Sequence, residues 1–297
     1  MIDMNKSFRG ALCLAFAALI WGMAFSAQSE AAKSMGPFAF TAARSLITFA
    51  ALGLFVLLRR GREARRGAPA RAYIKVGVPL GVLMFLATAL QQIGLGHTTV
   101  AKSGFITALY IVLVPLLGLV CFRRRVAPMV WAGVALSVVG LALLCLKDDF
   151  SVGYGDLITL ACALMFAVHI VAVDRFAGDL GAPQLCCVQF GVAGVLSLCV
   201  ALCTETVRPA DMLACWPSLL YVGLCSGALG YTLQIAGQKY TEPTVASLIL
   251  CLESVFAALG GWLLLGQTLM PREVAGCAVM LAACVLAQLP ERRQGLA

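Results

Sequence analysis

Long apolar runs at short intervals constrain the fold of this chain more than any other feature of its 297 residues. A helix needs about 20 apolar residues to cross the hydrocarbon core of a bilayer. The pattern therefore predicts an all-α integral membrane protein with ten transmembrane helices. The ten runs are 10–29, 36–58, 73–93, 101–122, 127–146, 155–173, 182–203, 216–236, 244–265 and 271–289.

The composition excludes the main alternatives to a membrane protein. Charged residues make up 12% of the chain and hydrophobic residues 61%, whereas a soluble domain carries about a quarter charged residues. The net charge of +8 comes in short clusters between the apolar runs, without the basic face that binding of nucleic acid requires. The 13 cysteines lack zinc spacing and only two histidines are present, so we expect neither a metal site nor a cofactor.

The distribution of lysine and arginine predicts the orientation in the membrane. With a cytoplasmic N-terminus, 16 of the 22 basic residues lie in inside segments, five lie in outside segments, and Arg44 lies within a span. Because cytoplasmic loops are enriched in these residues, we expect a multi-pass protein of the inner or plasma membrane with both termini cytoplasmic. The first run follows Lys6 and Arg9 like a signal peptide, but it is too long for a typical signal core and is interpreted as a span.

The two halves of the chain resemble each other. Shifted by 143 residues, LQQIGLGHT (90–98) falls on LQIAGQKYT (233–241), and the match continues to Gly133 and Gly276. Earlier parts match at a shift of 145, as Gly10 and Gly155 do, and the GxxxG pattern of the third span recurs in the eighth. The match predicts a duplicated chain.

Each half contains five spans, so the second half must enter the membrane inverted relative to the first. We expect repeats at 1–147 and 148–297 that superpose after rotation about an axis in the membrane plane. Inverted repeats of this kind place a substrate site near the midplane, between the halves, and provide two access states. The architecture is therefore typical of a transporter.

Several motifs resemble one known family. AALIWGMAFSAQSEA (17–31) and PFAFTAARSLITFAAL (37–52) resemble the opening of EamA-type transporters of the drug/metabolite transporter superfamily, with Trp-Gly-x-x-Phe followed by an arginine in the second helix. GFITALYIVLVPLLG (104–118) resembles the fourth helix of one branch, and 241–286 resembles the last two helices. The resemblance covers almost the whole chain. It implies alternating-access transport, often export, of small organic metabolites or drugs, without naming the substrate.

One position departs from the family pattern. Members usually read Leu-Glu-Pro in the ninth helix, whereas this chain reads Leu252, Glu253 and Ser254. Because proline is a common cause of helix kinks, its loss removes an expected kink at this point.

Arg44 lies inside the second span, roughly 10 Å below the outer boundary of the hydrocarbon at 1.5 Å per residue. Two interpretations are open: its side chain extends to the outer headgroups, or it faces a central cavity and binds an anionic group. The resemblance favours the cavity. Glu253 lies roughly 14 Å deep, near the middle of its span, where a carboxylate must be paired, protonated, hydrogen-bonded or in contact with water.

The estimated heights of Arg44 and Glu253 differ by about 6 Å, within reach of two long side chains that face one cavity. We therefore expect the two residues to balance each other's charge, with Glu253 as the candidate for proton coupling. A carboxyl group that only joins two helices is the alternative for Glu253.

Other polar and aromatic residues within the spans complete the candidate site. Gln91 and Gln234 occupy matching places in the repeats and either line two vestibules or pack between helices. Trp21, Tyr110 and Tyr231 either stack on a substrate or pack, and His169 is interpreted as a hydrogen-bonded helix residue. The predicted substrate site consists of Trp21, Arg44, Gln91, Tyr110, Tyr231, Gln234 and Glu253.

An intramembrane enzyme or a channel-like receptor is the alternative function. GYGD (153–156) resembles the surroundings of a catalytic aspartate in intramembrane aspartyl proteases, but no span carries the second aspartate that such a mechanism requires. We expect Asp156 to cap the sixth helix instead. The sequence therefore favours a transporter of a small molecule, leaving its oligomeric state open.

The topology can be tested with reporters. A reporter fused after Ala297 should be cytoplasmic, and single-cysteine labels near Lys33 and Asp148 should react with an impermeant reagent added outside. The excess of basic residues in the inside segments is the physical reason. An extracytoplasmic C-terminus would contradict the ten-span count.

Overall fold

The computed structural model describes residues 4–63, 68–123, 126–145, 152–265 and 270–288. These residues form helices joined by turns and short loops, with no strand among them. Asp148 and the predicted repeat boundary lie outside this part of the chain. The helices are α1 (Met4–Ala31), α2 (Pro37–Glu63), α3 (Ala70–Leu95), α4 (Val100–Ala108), α5 (Tyr110–Phe122), α6 (Pro128–Cys145), α7 (Tyr154–Phe176), α8 (Ala182–Thr204), α9 (Pro209–Ala214), α10 (Trp216–Leu220), a π-helical segment (Tyr221–Gly230), α11 (Tyr231–Gln238), α12 (Pro243–Leu250), α13 (Glu253–Leu265) and α14 (Pro271–Gln288).

Every predicted apolar run coincides with helix, and the chain is a multi-pass membrane protein. Within the described residues, Pro128–Leu144 and Pro243–Leu259 are shorter apolar helices, and seven helices are long and apolar enough to cross a bilayer. Leu58, Val120 and Leu202 are 78%, 76% and 67% exposed on the outside of the bundle, where lipid would cover them. The seven are Lys6–Ala31, Pro37–Arg59, Ala70–Leu95, Lys102–Phe122, Tyr154–Phe176, Ala182–Thr204 and Trp216–Gln238.

Two apolar runs contain an interrupted helix. Leu109 separates α4 from α5, and Cys251 with Leu252 separates α12 from α13. The absence of the proline therefore does not make the helix continuous at this point. The backbone N–H groups of Leu252 and Ser254 bond to carbonyls three residues back, at 3.1 and 3.2 Å, so the α-helical pattern breaks without proline.

The π-helical segment gives the second half an irregularity of its own. Wider winding changes which carbonyls bond within the helix, and such segments are often found at functional sites. The carbonyl of Gly223 accepts a hydrogen bond from Thr48 Oγ1 at 2.7 Å, and that of Ser226 accepts one from Trp21 Nε1 at 3.2 Å. Side chains of α1 and α2 are thereby bonded to the backbone of this segment.

Glycines bring α2 close to α8 and α6 close to α14. A Cβ atom at Gly191 would lie 3.0 Å from the ring of Phe49, and one at Gly194 would lie 2.9 Å from Leu46 Cδ2. Because the contact partner moves backward along α2 as the chain advances along α8, the two helices run antiparallel. The pair α6 and α14 is also antiparallel and in backbone contact, since a Cβ at Gly276 would lie 2.7 Å from the carbonyl oxygen of Gly140.

The two GxxxG motifs serve two further contacts. Gly77 and Gly81 of α3 face Val188 and Val192 of α8, while Gly223 and Gly227 face Ile47 and Thr48 of α2. In both contacts the residue numbers rise together, so these helices run parallel. Small residues at such positions allow the close approach that packing within a membrane requires.

The packing of α6 on α14 can be tested with matched glycine substitutions. Gly276→Ala should lower the melting temperature of the purified protein in detergent, because its Cβ would meet backbone atoms of Gly140 and Leu144 at 2.7 and 2.8 Å. Gly118→Ala is the control, since no atom lies within 4 Å of its Cβ position and alanine favours a helix by up to about 1 kcal/mol. Equal melting temperatures for the two variants would contradict the packing.

Candidate functional site

A small central cavity of about 40 Å³ brings the predicted site residues together. This volume holds a few water molecules and lies far below the roughly 300–1,000 Å³ of a pocket for a small organic ligand. All seven residues of the predicted site line it, and the complete lining is Trp21, Ala24, Phe25, Gln28, Arg44, Gln91, Thr107, Tyr110, Phe166, Ile170, Ser226, Tyr231, Gln234, Leu250 and Glu253.

Arg44 faces this cavity and not the headgroups. Only 6% of the residue is exposed, and its Nη1 donates a hydrogen bond to Gln28 Oε1 at 3.1 Å. The guanidinium also lies 5.7 Å from the ring centre of Phe40. Its Nε and Nη2 atoms are buried without a hydrogen-bond partner among the described residues. A charged group with unused donors is therefore present at the cavity.

Gln28 fixes the position of Arg44. It is 4% exposed and lies on α1, two helical turns after Trp21. Its backbone carbonyl accepts a hydrogen bond from Gln92 Nε2 of α3 at 3.2 Å. The second and third helices therefore both contact this turn of α1, which holds the amide oxygen against the guanidinium.

Glu253 also lines the cavity. It is the first residue of α13 and is 4% exposed, and the partial positive charge of the helix N-terminus favours a carboxylate there. Tyr110, the first residue of α5, donates a long hydrogen bond of 3.5 Å to Glu253 Oε1. The interruptions of the two helices thus place both side chains at the cavity.

The expected pair of Arg44 and Glu253 does not form. In the described part of the chain, the ion pairs with charged atoms within 4.0 Å are Lys33 with Glu30 and Lys102 with Asp156. The height estimate fixed only the depth of each residue and not the direction in which its helix faces. Arg44 bonds to an amide and Glu253 to a phenol, although both line the same space.

Two of the residues that line the cavity, Trp21 and Tyr231, pack against each other. The ring centres of Trp21 and Tyr231 lie 4.6 Å apart with an interplanar angle of 50°, and Phe190 packs edge-on against Tyr231 at 5.1 Å. The indole N–H is already used by the carbonyl of Ser226. The rings therefore present apolar surface to the cavity.

Gln91 and Gln234 line this one cavity, so the interpretation of two separate vestibules is wrong. Gln234 is 2% exposed and its Oε1 has no partner among the described residues. His169 lies outside the lining, with Nε2 at 3.1 Å from Gln189 Oε1, as expected for a hydrogen-bonded helix histidine.

A larger recess of about 410 Å³ lies toward the C-terminal end of α7. Val114 and Val171 belong to its wall and are close in the chain to Tyr110 and Ile170, which line the central cavity. The acids Asp174 and Glu242 and the base Arg175 also line the recess. We call it the α7 recess.

Asp156 caps α7, as the sequence predicts. Its Oδ2 accepts a hydrogen bond from the backbone N–H of Gly153 at 3.0 Å. No group of three or more His, Cys, Asp or Glu side chains that could hold a metal ion is found within the described ranges.

Sequence reasoning did not name eight of the lining residues, of which Gln28 matters most because it holds Arg44. A signal was available, since residues 21, 24, 25 and 28 share one face of a helix. A different signal was available for Phe166, which lies 145 positions after Trp21 and therefore matches this predicted site residue in the second repeat. The missed residues are Ala24, Phe25, Gln28, Thr107, Phe166, Ile170, Ser226 and Leu250.

Comparison with known proteins agrees with the fold and shows the family. The model of the EamA-like transporter family matches residues 8–146 and again 153–289. An uncharacterized transporter of Archaeoglobus fulgidus is 30% identical over 280 residues, covering 94% of this chain and 85% of the relative. An S-adenosylmethionine/S-adenosylhomocysteine transporter of Chlamydia muridarum is 24% identical and covers 94% and 91%.

One solved crystal structure has a similar fold. It superposes with a TM-score of 0.75 at 20% sequence identity, covering 94% of this chain and 96% of the other. The family model accounts for nearly the whole length in two consecutive matches. The chain belongs to the EamA-like transporter family of membrane transporters.

Proposed function

We propose that this protein is a secondary transporter that exports small organic metabolites by alternating access. Ten spans in two inverted five-helix repeats, residues 1–147 and 148–297, would carry the central cavity between them. The observation on which the proposal depends is the buried guanidinium of Arg44, which faces that cavity with two donor nitrogens unused.

A buried charge without a partner is costly, and arginine remains protonated in proteins. Within a membrane such a residue is by default a candidate for function. A carboxylate or phosphate of a substrate would accept hydrogen bonds from Nε and Nη2 in the planar arrangement that arginine provides. Arg44 would therefore bind the anionic group of the substrate.

Glu253 provides the opposite charge. A substrate with a cationic or donor group would satisfy its carboxylate, and the rings of Trp21 and Tyr231 would contact an apolar or aromatic portion. S-adenosylmethionine carries a carboxylate, an ammonium group and an aromatic base. It is named for the relatives from Chlamydia and is therefore a suitable first probe for this chain.

The glycine contacts support the inverted arrangement. Exchanging the halves in this region adds 145 to a residue number of the first half and subtracts 145 from one of the second. The contact of Phe49 with Gly191 then becomes a contact of Gly194 with Leu46, and both contacts occur. At a shift of 143, the contact of Gly133 with Ala283 becomes that of Gly276 with Gly140, and both occur. Because the paired helices are antiparallel, an axis that exchanges them must be perpendicular to both.

Tyr110 and Glu253 are themselves matching positions, 143 residues apart, and they bond to each other. A contact between positions that an axis exchanges must lie at that axis. A carboxyl group there is near both routes of access, which suits it to bind a proton from one side and release it to the other. This supports Glu253 as the proton-coupling residue.

The α7 recess provides a candidate route between the cytoplasm and the central cavity. The basic residues of the loops predict that the C-terminal end of α7 is cytoplasmic. The recess of about 410 Å³ is large enough to admit a small metabolite. Loading from the cytoplasm followed by release outside is export.

Transport can be tested in proteoliposomes with labelled S-adenosylmethionine. Metabolites that accumulate outside overexpressing cells, compared with deletion cells, would provide further probes. Arg44→Gln and Glu253→Gln should each lower the flux at least about tenfold, because each removes a charged hydrogen-bonding group. Arg208→Gln, at an exposed position, should transport like the wild type. Wild-type flux of every transported probe in both cavity variants would contradict the assignment.

The stability of Arg44 variants provides a second test. Arg44→Met should raise the melting temperature in detergent by a few degrees while abolishing transport, because an apolar side chain removes the cost of burying a charge that no opposite charge balances. Arg208→Met should leave the melting temperature unchanged. A lower melting temperature for Arg44→Met would show that Arg44 is retained for structure.

A further inference from the structure

Besides the helix pairs described above, the two halves touch closely at two further places. At the first, the end of α3 meets the start of α7, where a Cβ at Gly155 would lie 2.8 Å from the carbonyl oxygen of His97. At the second, the end of α11 meets the start of α1, where a Cβ at Gly237 would lie 2.8 Å from the carbonyl oxygen of Gly10. We call these the α3–α7 contact and the α11–α1 contact.

These two contacts are images of each other under exchange of the repeats. Gly10 matches Gly155 at a shift of 145, and Gly94 matches Gly237 at a shift of 143. Gly94 faces Gly155 and Thr159, just as Gly237 faces Gly10 and Leu14. By the charge distribution in the loops, the α3–α7 contact lies on the extracytoplasmic side and the α11–α1 contact on the cytoplasmic side.

The side chains at the two contacts differ. At the α3–α7 contact, Asp156 Oδ1 accepts a hydrogen bond of 2.5 Å from Thr98 Oγ1, and Lys102 Nζ lies 3.9 Å from Oδ2. Thr98 is in the loop that follows α3, so this bond joins the two halves.

The α11–α1 contact lacks these interactions. The position that matches Asp156 is Ala11, and the position that matches Lys102 is Val245. Thr241, which matches Thr98, is 9% exposed and its hydroxyl has no hydrogen-bond partner among the described residues.

We propose that Asp156, Thr98 and Lys102 form a latch that holds the extracytoplasmic end of the protein closed. Because the cytoplasmic contact has no counterpart among the described residues, the latch biases the protein toward the state that opens to the cytoplasm. Opening the outer end would break the bond from Thr98 to Asp156, a charge-assisted bond and therefore among the stronger ones. The inference goes beyond the proposed substrate site but rests on the inverted arrangement proposed with it.

Labelling of a cysteine in the cavity tests the latch without a substrate. The reporter is Ala24→Cys, because Ala24 lines the cavity and is 1% exposed. A membrane-impermeant maleimide is added outside sealed right-side-out vesicles, and the rate is corrected for protein with Ala24 intact. Thr98→Val should raise the labelling rate about tenfold, because it removes a hydrogen bond to a charged group. Thr98→Ser keeps the hydroxyl and should label like the reporter alone.

The matching position in the other contact provides the converse test. Ala11→Asp adds a carboxylate near the unpartnered hydroxyl of Thr241, which should stabilise closure at the cytoplasmic end and also raise labelling from outside. Combining Ala11→Asp with Thr241→Val should cancel that increase. Loss of the increase in the double variant would show that the new bond causes it.

Unchanged labelling in Thr98→Val protein that reaches the membrane folded would overturn the latch. An increase in labelling by Ala11→Asp that persists when Thr241→Val is added would also overturn it. Because no substrate is used, that result would leave the transport proposal standing. Latch-dependent labelling in a protein without flux of any probe would instead contradict the transport proposal and support the latch.

Discussion

Close backbone contact at glycine is the constraint on which this membrane protein depends. In a bilayer, helices gain little by turning apolar side chains from lipid toward each other, so association relies on packing and hydrogen bonds. The pairs α2–α8 and α6–α14 meet where Gly191, Gly194, Gly140 and Gly276 leave room for the partner helix. These contacts fix the helices relative to each other and thereby position the polar side chains of the cavity.

The cavity concentrates groups that a membrane interior disfavours. Arg44, Glu253, Gln91 and Gln234 are all buried, and Arg44 and Gln234 have side-chain atoms without a hydrogen-bond partner within the described chain. Such incompletely satisfied groups destabilise a fold. These groups are collected in one small space between halves that contact each other through glycines. This arrangement is expected where a bound ligand supplies the hydrogen-bond partners that the protein lacks.

The sequence was sufficient to predict where helices form and to predict seven of the fifteen residues that line the cavity. Apolar runs of the right length locate helices because the backbone must satisfy its own hydrogen bonds in lipid. The seven site residues could be chosen because polar and aromatic groups in apolar runs are few, and several recur in both halves.

The pairing of the site residues could not be predicted. Depth along a helix follows from residue count, but the direction of a side chain depends on helix rotation and packing. Depth alone therefore predicts a charge pair of Arg44 with Glu253, whereas Arg44 bonds to Gln28. Likewise, nothing in the sequence of 221–230 indicates π-helical winding, and the break at Cys251 and Leu252 was discounted for want of a proline. Backbone irregularities of this kind arise from contacts between helices.

The bond between Tyr110 and Glu253 has a consequence for how such a protein can be built. Consider instead two identical five-helix subunits related by a twofold axis. Symmetry would place the same residue on both sides of the axis, so a glutamate there would contact the glutamate of the other subunit. Two adjacent carboxylates cannot both ionise without strong repulsion. Joining the halves in one chain frees the two sides to differ, so that a phenol on one side donates to a carboxylate on the other. A single chain can therefore hold one acidic group at its centre, which a symmetric homodimer cannot do.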